Sequence, residues 1–241
     1  MRVCADPDNP PFSQRDGSGF ENRIAQLLAD ELQRPLDTTW LRDRRGFVRK
    51  TLLAGRCDVV IGLPPGLPAV ATTRPYYRSA FYFVTPRGEP ALRRFDDKRL
   101  HGRRVGVQLI GIDPGTSPAG LALARHAPSA RVVGYTAASD DRPPAQRMVQ
   151  AIAEGRLDTA VLWGPQAGSW VRDAALRIER AEPPADMAAL PFEFDIALAV
   201  RPADVELRQA LDRALLQRRG DIDALLARYA VPRTDTAEAA P

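Results

Sequence analysis

Two stretches of the chain, Leu53-Ala54-Gly55-Arg56-Cys57-Asp58-Val59-Val60 and Ala153-Glu154-Gly155-Arg156-Leu157-Asp158-Thr159-Ala160-Val161, are copies of one device. Each reads as the end of a helix, a glycine that closes it, and an aspartate that opens a buried apolar strand. Upstream of the first copy the pattern is strand (Arg2–Ala5), helix (Phe20, Ile24, Leu27, Leu28 and Leu32 on one 3.6-residue face, stopped by Pro35), strand (Leu36–Trp40), helix (Phe47–Ala54) and strand (Asp58–Gly62). Upstream of the second it is strand (Arg104–Gln108), helix near Ala119–Arg125, strand (Val132–Tyr135), helix (Ala145–Glu154) and strand (Thr159–Trp163). Strands that alternate with helices predict parallel sheets covered on both faces, here in two similar α/β lobes.

The segments between and after the repeats complete the division. An aromatic stretch, Tyr76–Val84, predicts another strand, and the composition breaks at Thr85–Ala91. Asp195–Val200 reads as a further strand, and Leu207, Leu211 and Leu215 mark a helix that continues through Ile222, Leu225, Leu226 and Tyr229. The expected lobes are residues 1–86 with a return segment at 192–233, and residues 87–191. The Ala/Thr/Pro tail, 234–241, is expected to be disordered.

A chain of 241 residues with 44% hydrophobic and 27% charged residues can build a substantial core. Its longest apolar runs are short stretches such as Ala197–Val200, far short of a membrane span. The formal net charge is +4, and almost all the basic residues are arginine. With no basic run interleaved with aromatics, that points to no nucleic-acid partner. Catalytic signatures are missing as well. Gly106 and Gly111 have phosphate-loop spacing, but Ile112 stands where lysine is needed. There is no nucleophile elbow, and neither His101 nor His126 has a partner at triad or metal-ligand spacing. No metal, no cofactor and no enzymatic activity are expected.

The order of several weaker motifs resembles a known family, the type II periplasmic solute-binding proteins of the amino-acid-binding kind. They are Pro10-Pro11-Phe12-Ser13 with Asp16-Gly17 and Gly19-Phe20, the two Gly-Arg-x-Asp devices, Thr73-Arg74-Pro75-Tyr76-Tyr77, and Gly102-Arg103-Arg104-Val105-Gly106-Val107. The resemblance implies two lobes joined by two hinge crossovers, with ligand held in a central cleft. More narrowly, Val3-Cys4-Ala5-Asp6-Pro7, Arg44-Arg45-Gly46-Phe47-Val48-Arg49, Gly106-Val107-Gln108-Leu109-Ile110-Gly111 and Leu190-Pro191-Phe192-Glu193-Phe194-Asp195-Ile196-Ala197 resemble the J-type accessory proteins encoded with PQQ-dependent methanol dehydrogenases. That resemblance implies a partner dehydrogenase, dependent on calcium or a lanthanide, whose activation or maturation the protein assists. A receptor for an ABC importer is the alternative. The opening Met1-Arg2-Val3 fits either a cytosolic protein or a periplasmic one whose leader is absent from the sequence, and the resemblance implies the second.

The chain departs from amino-acid binders in a way that bears on ligand. Those proteins carry an arginine upstream of the Pro-Tyr-Tyr motif to clamp a carboxylate, and an aspartate at the end of the second-lobe strand to pair with an ammonium. Here Leu63–Thr73 offers no arginine and the strand ends at Trp163. A zwitterion without charge partners is costly to desolvate, so a free amino acid is not expected. Candidate cleft or partner residues are Asp6, Asn9, Phe12, Trp40, Arg44, Arg45, Tyr76, Gln108 and Trp163. Asp6 and Asn9 are equally turn-formers, Trp40, Trp163 and Tyr76 equally packing residues, and the Arg42–Arg49 cluster is either a solvated face or a steering patch. Cys4 and Cys57 fall on strands that are neighbours in this fold, so a disulfide and a pair of buried thiols are both open.

Overall fold

The computed structural model describes residues 1–42, 46–109, 117–136, 142–172 and 175–234. Its elements are, in order, β1 (Arg2–Ala5), β2 (Asp8–Asn9), β3 (Ser13–Gln14), α1 (Phe20–Glu31), β4 (Asp37–Trp40), α2 (Phe47–Lys50), β5 (Val59–Leu63), β6 (Ala71–Thr72), β7 (Tyr77–Pro86), β8 (Arg104–Gln108), α3 (Pro118–His126), β9 (Arg131–Tyr135), α4 (Pro144–Ala153), β10 (Thr159–Trp163), α5 (Gly164–Val171), β11 (Leu176–Arg180), β12 (Glu193–Val200), α6 (Val205–Gln217) and α7 (Arg219–Arg228). They form two compact units, one of Met1–Arg78 with Asp195–Tyr229, the other of Ser79–Phe194 with Ala230–Thr234.

In the first unit β1 lies between β4 and β5, parallel to both, and β12 adds antiparallel to β5, with β6 beyond it. In the second, β8 lies between β9 and β10, all parallel, and β7 and β11 continue the sheet antiparallel. The expected parallel sheets are therefore mixed, because β7 and β12 each close a sheet from the other direction. α1 buries Phe20, Ile24, Ala25, Leu28 and Ala29 in the first unit. In the second, both sheet faces are covered: Tyr82, Val84 and Leu162 pack under α4 and α5, while Phe83, Val105, Val107 and Val161 pack under α3.

The repeated device fixes where each unit's strands begin. Gly55 and Gly155 take φ of +71° and +68°, a left-handed conformation with little cost for glycine alone. The aspartate that follows is then placed beside the first residue of the neighbouring strand. Asp58 N–H donates to the Arg2 carbonyl and Asp158 N–H to the Arg104 carbonyl. Each carboxylate accepts a two-pronged bond from that same arginine, at 3.0 and 2.6 Å from Arg2 and 3.1 and 2.7 Å from Arg104. Asp58 also accepts from Arg201 at 2.9 Å, which ties the segment after β12 to the same point.

Two local differences from the sequence reading have visible physical causes. The helix expected over Phe47–Ala54 stops at Lys50, because the Thr51 hydroxyl takes the Phe47 carbonyl at 2.7 Å and Leu53 N–H reaches back five residues to Val48. α5 and β11 are additional elements. α5 follows directly on β10 and has glycine at two positions, where its packing demands closeness rather than propensity. A Cβ on Gly168 would lie 1.7 Å from the Ala230 carbonyl oxygen, so the terminal segment Ala230–Thr234 presses directly on this helix. Ser79 Oγ anchors the same segment by donating to the Pro232 carbonyl at 2.6 Å.

Cys4 and Cys57 form a disulfide across β1 and the entry to β5, with Cα atoms 5.6 Å apart. Both residues are buried in one apolar cluster with Phe47, Leu52 and Val60. No helix among the described residues is long and apolar enough to cross a membrane.

Three outcomes follow for stability. Cys4→Ser with Cys57→Ser opens a loop closed over a sequence separation of 53, and loses about 2–4 kcal/mol in denaturant melts. Gly168→Ala displaces the terminal segment and costs about 1–3 kcal/mol, read as a lowered Tm. Arg2 first, then Arg201, hold the Asp58 carboxyl down from 3.8 to about 2. Ionised Asp58 therefore stabilises the fold above pH 3.8, and that contribution is lost as pH falls toward 2. With Arg2 half in solvent, Asp58→Asn costs about 1–2 kcal/mol near neutral pH, and the gap between wild type and variant closes in melts taken at about pH 2.

Candidate functional site

In open α/β sheets ligands meet the carboxyl ends of the strands, so the candidate residues are followed there, unit by unit. In the first unit the loop after β1 carries Asp6, Asn9 and Phe12. Asp6 makes the turn: its Oδ1 accepts from Asp8 N–H at 2.8 Å and its carbonyl from Ser13 Oγ at 2.8 Å. Asn9 pairs with Ser13 in the small β2–β3 hairpin. The half-buried Phe12 ring lies 5.4 Å from Phe20, and the Pro11 and Phe12 carbonyls accept from Phe20 and Glu21 N–H at the start of α1. The loop is thereby fastened onto the helix.

Trp40 ends β4, half-buried, with the Arg15 guanidinium 5.7 Å from the centre of its ring. Tyr76 is a core residue at 4% exposure, its ring 5.0 Å from Tyr77 and its hydroxyl without a hydrogen-bond partner among the described residues. Burial pushes both tyrosine hydroxyls well above their usual range. Arg42 reaches Asp8 at 3.9 Å. Arg44 and Arg45 lie outside the described residues.

In the second unit Gln108 ends β8, opposite Tyr135 on β9. The Arg147 guanidinium stands 5.3 Å over the Tyr135 ring, so this corner already has its cation occupied. Trp163 ends β10 directly across from Phe81 on β7. Its indole meets Phe81 and Phe194 edge-on, each at 5.6 Å, and all three rings are half-buried. Inward from them Phe81 touches Phe192, Phe192 touches Phe95, and Phe95 touches Phe83, at 6.2, 5.4 and 5.0 Å. The outer trio is the half-exposed rim of a continuous aromatic core, held rigid from beneath.

Gln108 and Trp163 therefore stand on adjacent strands of one unit, and Asp6, Asn9 and Phe12 in one loop of the other. Phe81 and Phe194 were not singled out in the sequence, although a signal was there. Phe81-Tyr82-Phe83 places two phenylalanines on one strand face, and Phe192-Glu193-Phe194 repeats that spacing at the start of β12. Among the described residues no group of three or more His, Cys, Asp or Glu side chains could hold a metal ion.

Fold and strand-end architecture define a binding protein of the solute-receptor class. The chain belongs to the bacterial extracellular solute-binding proteins, family 3, whose sequence profile matches residues 1–232. That family is one of binding proteins, not of enzymes. Protein MoxJ of Methylorubrum extorquens is 32% identical over 246 residues, spanning 96% of this chain and 81% of the relative. Protein MoxJ of Paracoccus denitrificans is 30% identical over 96% of this chain and 88% of its own length. The crystal structure of the periplasmic binding protein XoxJ from Methylobacterium extorquens AM1 superposes with a TM-score of 0.78 at 34% identity, over 98% of this chain and 100% of that one.

Proposed function

We propose that this protein is a periplasmic accessory factor of a PQQ-dependent methanol dehydrogenase, and that it assists activation or maturation by binding the enzyme or a segment of it. The surface assigned to that contact is the group of strand carboxyl ends in the second unit, Trp163 among them. The observation that carries the reading is the Phe81–Trp163–Phe194 rim. Where an amino-acid receptor needs a carboxylate for its ligand's ammonium, this chain presents three aromatic rings on a rigid base. Aromatic side chains anchored in this way are the usual energetic centre of a protein contact, and they supply no charge partner for a zwitterion's carboxylate. The MoxJ and XoxJ relatives support the same partner, and the relative called a periplasmic binding protein supports the same compartment.

A receptor for an ABC importer, taking a small organic solute other than a free amino acid, is the second reading, favoured by family membership itself. Calorimetry and size exclusion with the apo-dehydrogenase from the same gene cluster, beside a panel of solutes, separate the two. The expected result is a complex with the dehydrogenase and no solute response, with Trp163→Ala raising Kd at least tenfold (about 1.4 kcal/mol) while the circular dichroism spectrum is unchanged. A sub-micromolar solute with no dehydrogenase contact overturns the accessory role.

A further inference from the structure

A recess in the first unit, remote in kind from the aromatic rim, has the makings of a separate small-molecule site. It opens between α1 and the edge strand β4, beside β1, and has a volume of about 140 Å³. α1 packs closely against the centre of its sheet but leaves this gap at the sheet edge. Val3 and Ile61 contribute the apolar floor, and Ala25 and the Trp40 ring the walls. The Arg15 guanidinium lies 5.7 Å from the centre of the Trp40 ring.

The polar lining decides the class of ligand. Asn22, Gln26 and Thr38 are the neutral polar residues that line it, and the Gln26 amide NH2 is engaged, donating to Asp30 Oδ1 at 2.7 Å. Asn22 Oδ1 already accepts from Gln14 N–H at 2.8 Å, so what the amide can offer is its NH2, a donor. The Thr38 hydroxyl can donate or accept. Glu21 and Arg23 also line the recess, with opposite charges. A ligand of either net charge therefore meets one like charge, and neither sign is favoured over a neutral molecule. In volume the recess is close to the roughly 150 Å³ apolar cavities that hold benzene, which sets the ligand at about six or seven heavy atoms.

The geometry points to a binding site for a small neutral organic molecule, with a compact apolar body and one hydroxyl or carbonyl oxygen, in the recess between α1 and β4. The oxygen takes the Asn22 and Thr38 hydrogen bonds and the body lies against Trp40 and Ala25. This site is independent of the dehydrogenase reading, because it lies wholly within the first unit and uses none of the Phe81–Trp163–Phe194 rim.

The test is a titration of the intact protein followed by the Trp40 indole N–H in 1H–15N correlation spectra, assigned through Trp40→Phe. The probes are cyclohexanol, cyclohexylammonium and cyclohexanecarboxylate, which share a body and differ in charge. Cyclohexanol is expected to give a saturable shift with a Kd of about 0.1–1 mM, a range suited to so few atoms, and the two charged probes to bind at least tenfold more weakly. Ala25→Leu, which fills the recess, abolishes the shift. Thr38→Val keeps the shape and weakens cyclohexanol several-fold with an unchanged melt, and it decides the matter if Ala25→Leu fails to fold. Trp163→Ala leaves the titration unaltered, so failure here and failure of the dehydrogenase reading are read separately. Absence of a saturable shift, equal binding of the charged probes, or indifference to Thr38→Val overturns the proposal.

Discussion

The structure depends on a paired constraint, an arginine at the first position of one strand gripping the aspartate that opens the next. Arg2 with Asp58 and Arg104 with Asp158 do the same work in the two units. Each pair is partly exposed, so its Coulomb energy is modest in water. Its larger effect is on geometry. The guanidinium fork accepts one arrangement of the carboxylate, and that fixes the register of two parallel strands whose side chains would all change face on a one-residue slip. The left-handed glycine before each aspartate is the other half of the constraint. Without it the chain leaving the helix could not turn back in time to meet the arginine.

From that registration the strand ends follow. Once β8 and β10 start together, Gln108 and Trp163 must finish on neighbouring strands, and the antiparallel pairing of β7 brings Phe81 opposite Trp163. The aromatic rim is thus a consequence of strand length and register, supported by the same phenylalanines that fill the core. In the first unit the same logic places Trp40 at the end of an edge strand, where no further strand covers it. The disulfide joins β1 to the entry of β5 and so reinforces the registration that Arg2 and Asp58 set.

Much of this was legible because it is written in local periodicity. The parallel strands, the helices between them and the repeated Gly-Arg-x-Asp device were visible as short apolar runs alternating with 3.6-residue helical faces and a glycine stop. What escaped had no such period. α5 contains Gly164, Pro165 and Gly168, residues chosen for the close approach of Ser79 and Ala230 and not for helix propensity. The antiparallel addition of β7, β11 and β12 depends on chain direction, which alternation alone does not encode. Among the candidate site residues Trp163 stands out in the sequence by its place at a strand end, while Phe81 and Phe194 show only a spacing of two whose meaning depends on the register. Tyr76 carried two readings in the sequence, and its 4% exposure places it in the core.

The two units show how one scaffold comes to hold different chemistry. Their sheets share the Arg–Asp registration and the same central order, so strand ends arrive in equivalent places. What occupies those ends differs: a turn-forming loop fastened to α1 in the first unit, and an aromatic rim continuous with the core in the second. A receptor for charged solutes would need isolated charges at these positions, each requiring compensation before ligand arrives. Here Arg147 is engaged over Tyr135 and Arg15 over Trp40, and the three rings of the rim are themselves uncharged and packed on a rigid base. Such a rim loses little conformational freedom on contact, and its rings carry no ion to desolvate. Those are the properties that favour association with an apolar stretch of another protein over capture of a free ion.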